Sequence, residues 1–366
     1  LTRYEDVKRV LRDHETFSSV RSEERRIGRK SGLLPEQVAP LGTPNMLGAD
    51  RPDHTRLRVV LRQDFIPSRI GRWQSRIEAV CDQTVRGVAG RDSYDVVKGV
   101  AEPLPVTVIA ELLGIPSELG VQFKRWSDAA IEPVAPNATD DDVRARNALI
   151  TEFRDYLTDR IEERRVAPTE DLIGRLVAAE GEGELNQAEV LSAVNLLLLA
   201  GNETTTNLIS NAVLALATQP EKQAQLRERP DLIDPAVEEF LRYDGSVQYT
   251  SRTVTKPVSF HGQTVAAGEA VIVVLASANR DPRVFERPDE LDFERPRSPN
   301  KHIGFGDWIH ICLGQFLARI ETRAALRALL GEFDDFELAI PEDDIPYRPN
   351  FNLRGPRYLP IRERQV

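Results

Sequence analysis

The amino-acid sequence predicts a mainly α-helical protein with small β-sheets. Apolar residues recur at helical spacing in long segments, whereas short runs rich in β-branched residues lie between residues 253 and 274. The 366 residues are enough to bury a large core, and no internal repeat or domain linker interrupts them. We therefore expect a single domain over residues 1–366.

The helices predicted from apolar spacing follow one another along most of the chain. They cover residues 5–13, 54–64, 68–90, 103–113, 144–165, 186–218, 233–243 and 312–331. The predicted strands are Thr253–Phe260, Val265 and Ala270–Val274, with Gly262 and Gly268 as turn residues. Two long stretches, 18–50 and 131–143, carry charges and proline, and we expect them to form functional loops.

Composition excludes several classes of protein. The formal net charge of −10, from 48 basic and 58 acidic residues, argues against nucleic acid as a partner, because such binding depends on neutralising phosphates. The longest apolar stretch, Leu191–Leu199, is too short to span a membrane and is interrupted by Ser192 and Asn195. Two cysteines fit a reducing compartment, and the first residues resemble neither a signal peptide nor an anchor. We expect a cytoplasmic protein without a membrane partner.

One cysteine carries the strongest functional signal. Cys312 lies in the segment 305–314, FGDWIHICLG in one-letter code, and a run of good helix formers follows it. The free N–H groups and the dipole of a helix N-terminus favour an anion, so we expect a lowered pKa for the Cys312 thiol. A thiolate is a strong axial ligand for haem iron. Cys81 has no such loop beside it, and we expect it to pack in the core.

The second signal is the run Ala200-Gly201-Asn202-Glu203-Thr204-Thr205 inside the long apolar helix. A glycine, an acid and two threonines are unfavourable in a buried helix interior, and such exceptions often mark a functional site. We expect Gly201 to leave room for a ligand and Thr204 to hydrogen bond a carbonyl one turn back. The alternative interpretation is a kinked packing helix with hydrogen-bonded threonines.

Charged residues also recur at helical spacing outside these two motifs. Glu239 and Arg242 are three residues apart on one helix face, where such a pair is usually a modest surface ion pair. His54 and Arg58 are four residues apart and share a helix face. Taken singly, each would be an ordinary surface residue. Two further basic residues stand near the motifs: Arg252 and His310.

The cysteine loop resembles the haem-binding signature of the cytochrome P450 family, Phe-Gly-x-Gly-x-His/Arg-x-Cys-x-Gly. The matching residues are Phe305, Gly306, His310, Cys312 and Gly314. The run from Ala200 is similar to that family's Ala/Gly-Gly-x-Asp/Glu-Thr-Thr/Ser pattern, and the resemblance covers nearly the whole chain. It implies the cytochrome P450 fold in a single catalytic domain, with the family's first helix and strand absent here. It also implies haem b with its iron on Cys312, and O₂ as co-substrate.

The resemblance further implies roles for individual residues. Ala200 and Gly201 would cross the distal face of the haem, and Glu203 and Thr204 would deliver protons for O₂ activation. Glu239 and Arg242, joined by Arg295, would brace the fold behind the cysteine loop. The groups that would hold the haem propionates are His54, Arg58, Arg252 and His310.

One position departs from the family signature, whose second glycine is Trp308 in this chain. Glycine in such a turn supplies a positive φ, a conformation that is strained for a bulky residue. We expect the loop to be reshaped or the indole to cover part of the thiolate side. The ligand itself is intact, so the expected effect concerns the hydrogen bonds to the sulfur and hence the redox potential.

The implied activity is that of a haem-thiolate monooxygenase, acting on a small or medium organic molecule in secondary metabolism. The implied electron donors are a ferredoxin and its reductase, docking where Arg56 and Arg62 supply positive charge. No nicotinamide or flavin fingerprint, zinc-ligand spacing or nucleophile elbow is present. Two alternatives stay open: different chemistry on the same fold, such as peroxide-driven oxidation, phenol coupling or nitration, and a non-catalytic haem-thiolate protein that binds a ligand.

The resemblance also implies which segments line the substrate pocket. They are residues 20–50, the helices after 115, the start of the helix that carries Thr204, Val247–Gln248 and Phe351–Asn352. Their mixed polarity favours a medium or large organic molecule.

Overall fold

The structure, a computed structural model, describes residues 1–20, 45–87, 92–132, 134, 137–296 and 301–364. It is mainly helical with small sheets, as the sequence predicts. The longer helices in chain order are α1 Tyr4–Arg12, α2 Asp53–Arg62, α3 Gln74–Arg86, α4 Pro103–Leu113, α5 Gly120–Ile131, α6 Asp140–Val166, α7 Leu172–Gly181, α8 Gln187–Thr218, α9 Pro220–Glu228, α10 Ile233–Asp244 and α11 Gln315–Glu332. Among the described residues there are also single helical turns at Pro67–Ile70 and Leu275–Ala278, a π-turn at Val97–Ala101 and several short 3₁₀ turns, one of them at Trp308–His310.

The long helix α8 runs through the core and positions the second motif. It begins with a capping box, in which the Asn186 side chain accepts from the Glu189 N–H and the Glu189 carboxylate accepts from the Asn186 N–H. Most of its residues are buried, and it packs against α4, α10 and α11. A helix that is apolar on nearly every side is stable only inside a large core.

Three small antiparallel sheets flank the helices. The strands are β1 Phe17–Ser18, β2 Tyr94–Asp95, β3 Tyr249–Val254, β4 Val258–Phe260, β5 Gln263–Val265, β6 Ala270–Val274, β7 Phe336–Leu338 and β8 Pro360–Glu363. The first sheet has the order β1-β3-β6, the second β2-β8-β7, and β4 pairs with β5. Arg252 lies on β3, the first strand after α10.

Several boundaries differ from the sequence prediction for local reasons. α6 begins four residues earlier than predicted, because Thr139 and Asp142 form a capping box. The predicted helix 68–90 is divided into two short turns and α3, and residues 88–91 lie outside the described residues. The single predicted strand from Thr253 is two strands, β3 and β4. Helices α5, α7 and α9 and strands β1, β2, β7 and β8 were not predicted.

Cys81 lies on α3, is fully buried and packs in the main apolar core, which confirms the structural interpretation of this cysteine. Burial raises the pKa of its thiol, and the nearby Glu321 raises it further. A thiol with so high a pKa is an unreactive core residue. In the part of the chain that the structure describes, no helix combines the length and apolar character needed to cross a bilayer.

Candidate functional site

The cysteine loop forms a compact turn that ends at the start of α11. The Cys312 N–H donates to the Phe305 carbonyl at 2.8 Å, and the Gly306 N–H donates to the Ile303 carbonyl at the same distance. Gly306 has φ +72°, which glycine adopts without strain. α11 begins at Gln315 and not at residue 312 as predicted, with Gly314 as its N-cap, whose carbonyl accepts from the Ala318 N–H. The sulfur thus precedes the helix N-terminus by one short turn.

The pKa of the Cys312 thiol is raised, so the expected lowering is wrong for the protein alone. Burial disfavours the thiolate and is the largest influence, while the Gly314 N–H and the guanidinium groups of Arg58 and Arg319 act in the opposite direction. Burial wins because the sulfur is removed from water on most sides. A metal that coordinates a thiol deprotonates it outright, so a raised pKa is compatible with metal ligation.

Trp308 occupies the left-handed conformation that the family signature reserves for glycine. Its φ is +60°, which confirms the strain expected for a bulky residue at this position. Its N–H donates to the Asp307 carboxylate at 2.8 Å, and its side chain is 53% exposed. The indole is largely exposed, and the Arg12 guanidinium lies over it, 5.9 Å from the ring centroid.

Two histidines meet beside the cysteine loop. The rings of His54 on α2 and His310 are tilted toward each other with centroids 4.2 Å apart. His310 Nε2 is 2.9 Å from the Ser19 hydroxyl, whereas neither ring nitrogen of the buried His54 has a hydrogen-bond partner among the described residues. Burial and the neighbouring arginines lower the pKa of His54 to about 4 and that of His310 to about 3, so both rings are neutral near pH 7.

Two arginines lie against these histidines. Arg58 donates to the Ile311 carbonyl at 2.7 Å, next to Cys312, and Arg252 is buried and donates to the Thr250 hydroxyl and the Ser251 carbonyl. Burial lowers the pKa of both guanidinium groups. Within the described ranges, neither forms an ion pair with a carboxylate; Asp50, which favours the charged form of Arg252, is hydrogen-bonded to Ser18 and Ser19.

Arg56 and Arg62 differ in what they offer to a partner. Arg56 pairs with Glu189 at 2.6 Å and also approaches Asp53, so its charge is largely neutralised within the protein. The expected contribution of Arg56 to a docking surface is therefore wrong. Arg62 is exposed and makes no ion pair with any described residue. Its positive charge lies close enough to lower the pKa of Arg58.

On α8, Ala200 is exposed although the helix around it is buried, so this residue faces an open space inside the fold. The Thr204 hydroxyl donates to the Ala200 carbonyl at 2.6 Å, as predicted, but the helix continues without interruption. A Cβ on Gly201 would lie 3.4 Å from Ile109. This is ordinary van der Waals contact between α4 and α8, and the expected room for a ligand at Gly201 stays a prediction.

Glu203 lies in a buried cluster of charges that the sequence did not reveal. Its carboxylate is 2.8 Å from Arg348 and 3.7 Å from Lys124, although the contact with Arg348 lacks hydrogen-bond alignment. Arg348 also pairs with Glu102 at 2.6 Å and with Glu132 at 3.4 Å. Further members are Asp128, which pairs with Lys124 and Arg348, and Lys98, which pairs with Glu102.

The pKa of Glu203 is raised. Burial is the largest cause, the positive charges of Arg348 and Lys124 oppose it, and the carboxylates of Asp128 and Glu102 reinforce it. The side chain can therefore exchange a proton closer to neutral pH than an ordinary glutamate. The sequence did not reveal Lys124 or Arg348 as partners of Glu203. Lys124 lies on α5 and Arg348 lies in the segment after β7, and no local pattern links either residue to α8.

Two adjacent glutamates on α10 form ion pairs with residues from other parts of the chain. Glu239 pairs with Arg242 at 2.7 Å and with Arg295 at 3.1 Å, so the structure brings the three predicted residues together. Arg242 also donates to three backbone carbonyls, those of Asn279, Pro288 and Glu290. The second glutamate, Glu238, was not predicted, and its partners are Arg319 at 2.5 Å and His302 at 3.0 Å. The Arg319 guanidinium in turn lies 4.5 Å from the centroid of the Phe305 ring.

Two of the segments expected near the substrate lie side by side. Val247 forms an isolated β-bridge with Leu353, and the Gln248 N–H donates to the Asn352 carbonyl at 2.8 Å. Phe351, at the tip of the second segment, is 93% exposed. Of the expected pocket stretch 20–50, residues 21–44 lie outside the described residues.

The residues around Cys312 fit a haem. Its metal would find the Cys312 sulfur, and its carboxylates would find the unpartnered nitrogens of His54 and two arginines, the buried Arg252 and the half-buried Arg58, neither of which is ion-paired with a described residue. The exposed surface at Ala200 supplies an apolar wall on α8. An unpartnered histidine and two unpaired guanidinium groups in one buried place are unfavourable without an anionic ligand.

Comparison with known proteins gives the same class. The family model described as Cytochrome P450 matches residues 125–356. Among curated proteins, the polyketide biosynthesis cytochrome P450 PksS of Bacillus subtilis is 38% identical over 99% of this chain and 88% of its own. The cytochrome P450 monooxygenase PikC of Streptomyces venezuelae is 39% identical over 88% of this chain and 76% of its own. The crystal structure of CalO2 superposes with a TM-score of 0.89 at 35% identity, covering 100% of this chain and 90% of that one.

These likenesses, over nearly the full length, establish the family. The chain belongs to the cytochrome P450 family and has its fold, and it is a monooxygenase of the bacterial type. Membership in the family implies a haem-thiolate centre.

Proposed function

We propose that the protein binds haem b through Cys312 and inserts one atom of O₂ into an organic substrate of secondary metabolism. The observation that carries this proposal is the set of unpaired basic groups beside the Cys312 loop, His54, Arg58 and Arg252, which meets the needs of an anionic prosthetic group. Haem supplies the reductive activation of O₂ when it is bound, with the second oxygen atom leaving as water.

The basic groups have distinct tasks in holding the haem carboxylates. Arg58 and Arg252 supply the positive charge, because both remain guanidinium ions when buried. His54 and His310 act as hydrogen-bond donors to the carboxylates. Arg58 also holds the loop itself through the Ile311 carbonyl, which couples the carboxylate side to Cys312.

Proton supply is assigned to Thr204 and Glu203. The Thr204 hydroxyl rests on the Ala200 carbonyl beside the open space and is free to accept a hydrogen bond there. Glu203 holds a proton at its carboxylate more readily than an ordinary glutamate, and the surrounding lysine and arginine connect it toward α5. Together they form a route by which a proton reaches the distal side without opening the core to bulk water.

Relatives with assigned roles support the proposed substrate class. PksS is named for polyketide biosynthesis, and PikC is named as a monooxygenase. A third relative, from Nocardia uniformis, is a nocardicin C N-oxygenase that is 38% identical over 99% of this chain. We assign a medium-sized natural product to this chain. The implied electron donor is a ferredoxin with its reductase, because the sequence carries no nicotinamide or flavin fingerprint.

The first test is the reduced, CO-bound difference spectrum of the purified protein, with Cys312→Ser as its partner sample. A Soret band at the thiolate position that disappears in the variant supports ligation by Cys312. A histidine-type band, or no haem in the wild-type protein, removes the proposal. Product analysis with O₂ and electron donors, compared with peroxide alone, then separates monooxygenation from peroxide-driven oxidation.

Replacing Thr204 by alanine tests the proton route. Loss of the hydroxyl removes the hydrogen-bond acceptor that Thr204 offers at the distal side, so we expect product formed per NADPH to fall at least about 10-fold while peroxide release rises. Thr218→Ala is the matched control, because the Thr218 hydroxyl makes the same type of bond, to the Leu214 carbonyl, near the end of the same helix. Unchanged coupling in Thr204→Ala would contradict the assignment.

A further inference from the structure

Arg146 on α6 is a half-buried arginine that has no carboxylate partner among the described residues. Its Nε and Nη1 atoms are buried, and neither makes a hydrogen bond within that part of the chain. Its Nη2 atom donates one long hydrogen bond, of 3.5 Å, to the carbonyl of Glu132, the residue after α5. A guanidinium ion that is withdrawn from water without compensating hydrogen bonds is unfavourable. The described protein groups therefore leave this charge unsatisfied.

Arg58 and Arg252, which we assign to the haem carboxylates, share these properties. Burial is the largest cause that lowers the pKa of each, and neither pairs with a carboxylate of a described residue. Burial also lowers the pKa of Arg146, and no carboxylate among the described residues offsets its effect. The reasoning that assigns an anionic group to Arg58 and Arg252 therefore applies to Arg146, which marks a place for a second anion.

Acidic residues close to Arg146 have other partners. Asp142, four residues earlier on α6, has the spacing of a helical ion pair with Arg146, but its carboxylate accepts from the N–H and the hydroxyl of Thr139. Glu132, whose carbonyl contacts Arg146, directs its carboxylate at Arg348 at a distance of 3.4 Å. The two acids that could neutralise Arg146 are therefore held elsewhere.

The contacts of Arg146 lead toward the interior of the fold. Arg146 is four residues before the buried Ile150, so both residues lie on the inner face of α6. Glu132 connects it to Arg348, whose Nε atom is 2.8 Å from the Glu203 carboxylate on α8. α5 and α6 also belong to the segments that we expect to line the substrate pocket. A ligand in that pocket is the anion that Arg146 is placed to meet.

We propose that Arg146 binds a carboxylate of the substrate and thereby selects an acidic organic molecule. The inference rests on the proposed function and narrows its substrate class. The planar guanidinium group offers N–H donors in a fixed fork that matches the two oxygens of a carboxylate. Arg146 determines specificity and orients the substrate, and it takes no part in the oxidation itself.

Binding of acids and their amides tests the proposal directly. Calorimetry near neutral pH on the haem-loaded protein compares benzoate, phenylacetate and decanoate, each with its uncharged amide. We expect the wild type to bind at least one acid about 10- to 100-fold more tightly than its amide, and Arg146→Met to lose this preference. Arg146→Lys keeps the charge without the fork and should retain part of it. A wild type that prefers none of the acids, or a preference that persists in Arg146→Met, overturns the assignment.

Thermal unfolding without ligand gives a test that does not depend on the choice of acid. Arg146→Met removes an unpaired charge, so the variant should melt at the same or a higher temperature. Arg164→Met is the matched control, because Arg164 is a buried arginine on the same helix that pairs with Asp171 at 3.0 Å and donates to the Gly114 carbonyl. This control should melt at a lower temperature. An equal loss in Arg146→Met would make Arg146 a structural residue and overturn the proposal.

The reduced, CO-bound spectrum of the same samples separates the two levels of inference. If the wild type lacks a thiolate-type Soret band, the proposed haem-thiolate function fails, and the role of Arg146 in selecting a substrate for it fails too. If the band is present in the wild type and in Arg146→Met, the haem site is intact in both. Equal binding of the acids by these two proteins then overturns the assignment of Arg146 alone.

Discussion

Two buried glutamates, Glu239 behind the cysteine loop and Glu203 on α8, are held by arginines in very different ways. Glu239 accepts two aligned hydrogen bonds from Arg242, at 2.7 and 2.8 Å, and further ones from Arg295 and the Asp292 N–H. Glu203 approaches Arg348 at 2.8 Å without hydrogen-bond alignment. One carboxylate is fully satisfied, and the other is not.

The surrounding charges repeat this difference. The Glu239 pair and the neighbouring Glu238 cluster match acids with arginines and histidine on adjacent elements. The Glu203 cluster gathers four carboxylates and three cations, Lys98, Lys124 and Arg348. A satisfied network fixes one geometry, whereas an acid-rich network leaves a proton free to be exchanged. The first kind suits a brace and the second a proton route.

The largest expected effect comes from breaking the brace with Arg242→Ala. The substitution leaves the buried Glu239 charge without its main partner and three carbonyls without a donor, so we expect a loss of about 3–5 kcal/mol in the free energy of unfolding. Denaturant unfolding measures it. Arg144→Ala is the matched control, because Arg144 pairs with Asp141 at the same spacing on an exposed face, where a pair contributes at most about 1 kcal/mol.

The Glu238 cluster predicts a pH dependence of stability. Burial raises the pKa of Glu238, but hydrogen bonds from His302 and Arg319 together outweigh it and lower the pKa to about 2. Because the folded pKa lies below the unfolded value, the stabilisation is complete above that unfolded value and is lost as the pH falls toward 2. Its full size is about 3 kcal/mol.

Denaturant unfolding between about pH 6 and about pH 3 tests this dependence. Wild-type stability should fall at the acid end of that range, and Glu238→Gln should remove part of the slope. Identical slopes in the two proteins would show that Glu238 does not have a lowered pKa.

A smaller change in stability, with a distinct effect on proton transfer, is expected for Arg348→Ala. Loss of this cation leaves Glu203 among carboxylates, and protonation limits the cost to about 2 kcal/mol. The pKa of Glu203 should rise further, and because Glu203 acts in its protonated form, this moves the alkaline limb of the turnover–pH profile to higher pH. Arg348→Lys, which retains the charge, should restore the profile in part. An unchanged turnover–pH profile in Arg348→Ala would contradict a role for Arg348 in proton supply.

The helices and motifs of the site could be read from the sequence because their signals are local. Apolar spacing predicted α8 nearly to the residue, and the loop around Cys312 indicated a haem ligand by the order of its residues. The φ of Trp308 was likewise foreseeable, since a glycine position in a turn defines the backbone angle. The start of α11 was misplaced by three residues, since helix boundaries are less well defined by apolar spacing than helix interiors are.

What only the tertiary structure decided is which charges meet. Arg348 and Lys124 reach Glu203 from elements distant in sequence, and Arg56 forms an ion pair with Glu189. Burial also reversed the expected direction for the Cys312 thiol, since desolvation depends on everything packed around the sulfur. The sequence by itself determined the family, the ligand loop and the long helix, because those depend on neighbours along the chain. Partners and pKa values depend on how helices pack, and packing brings together residues that no local pattern connects.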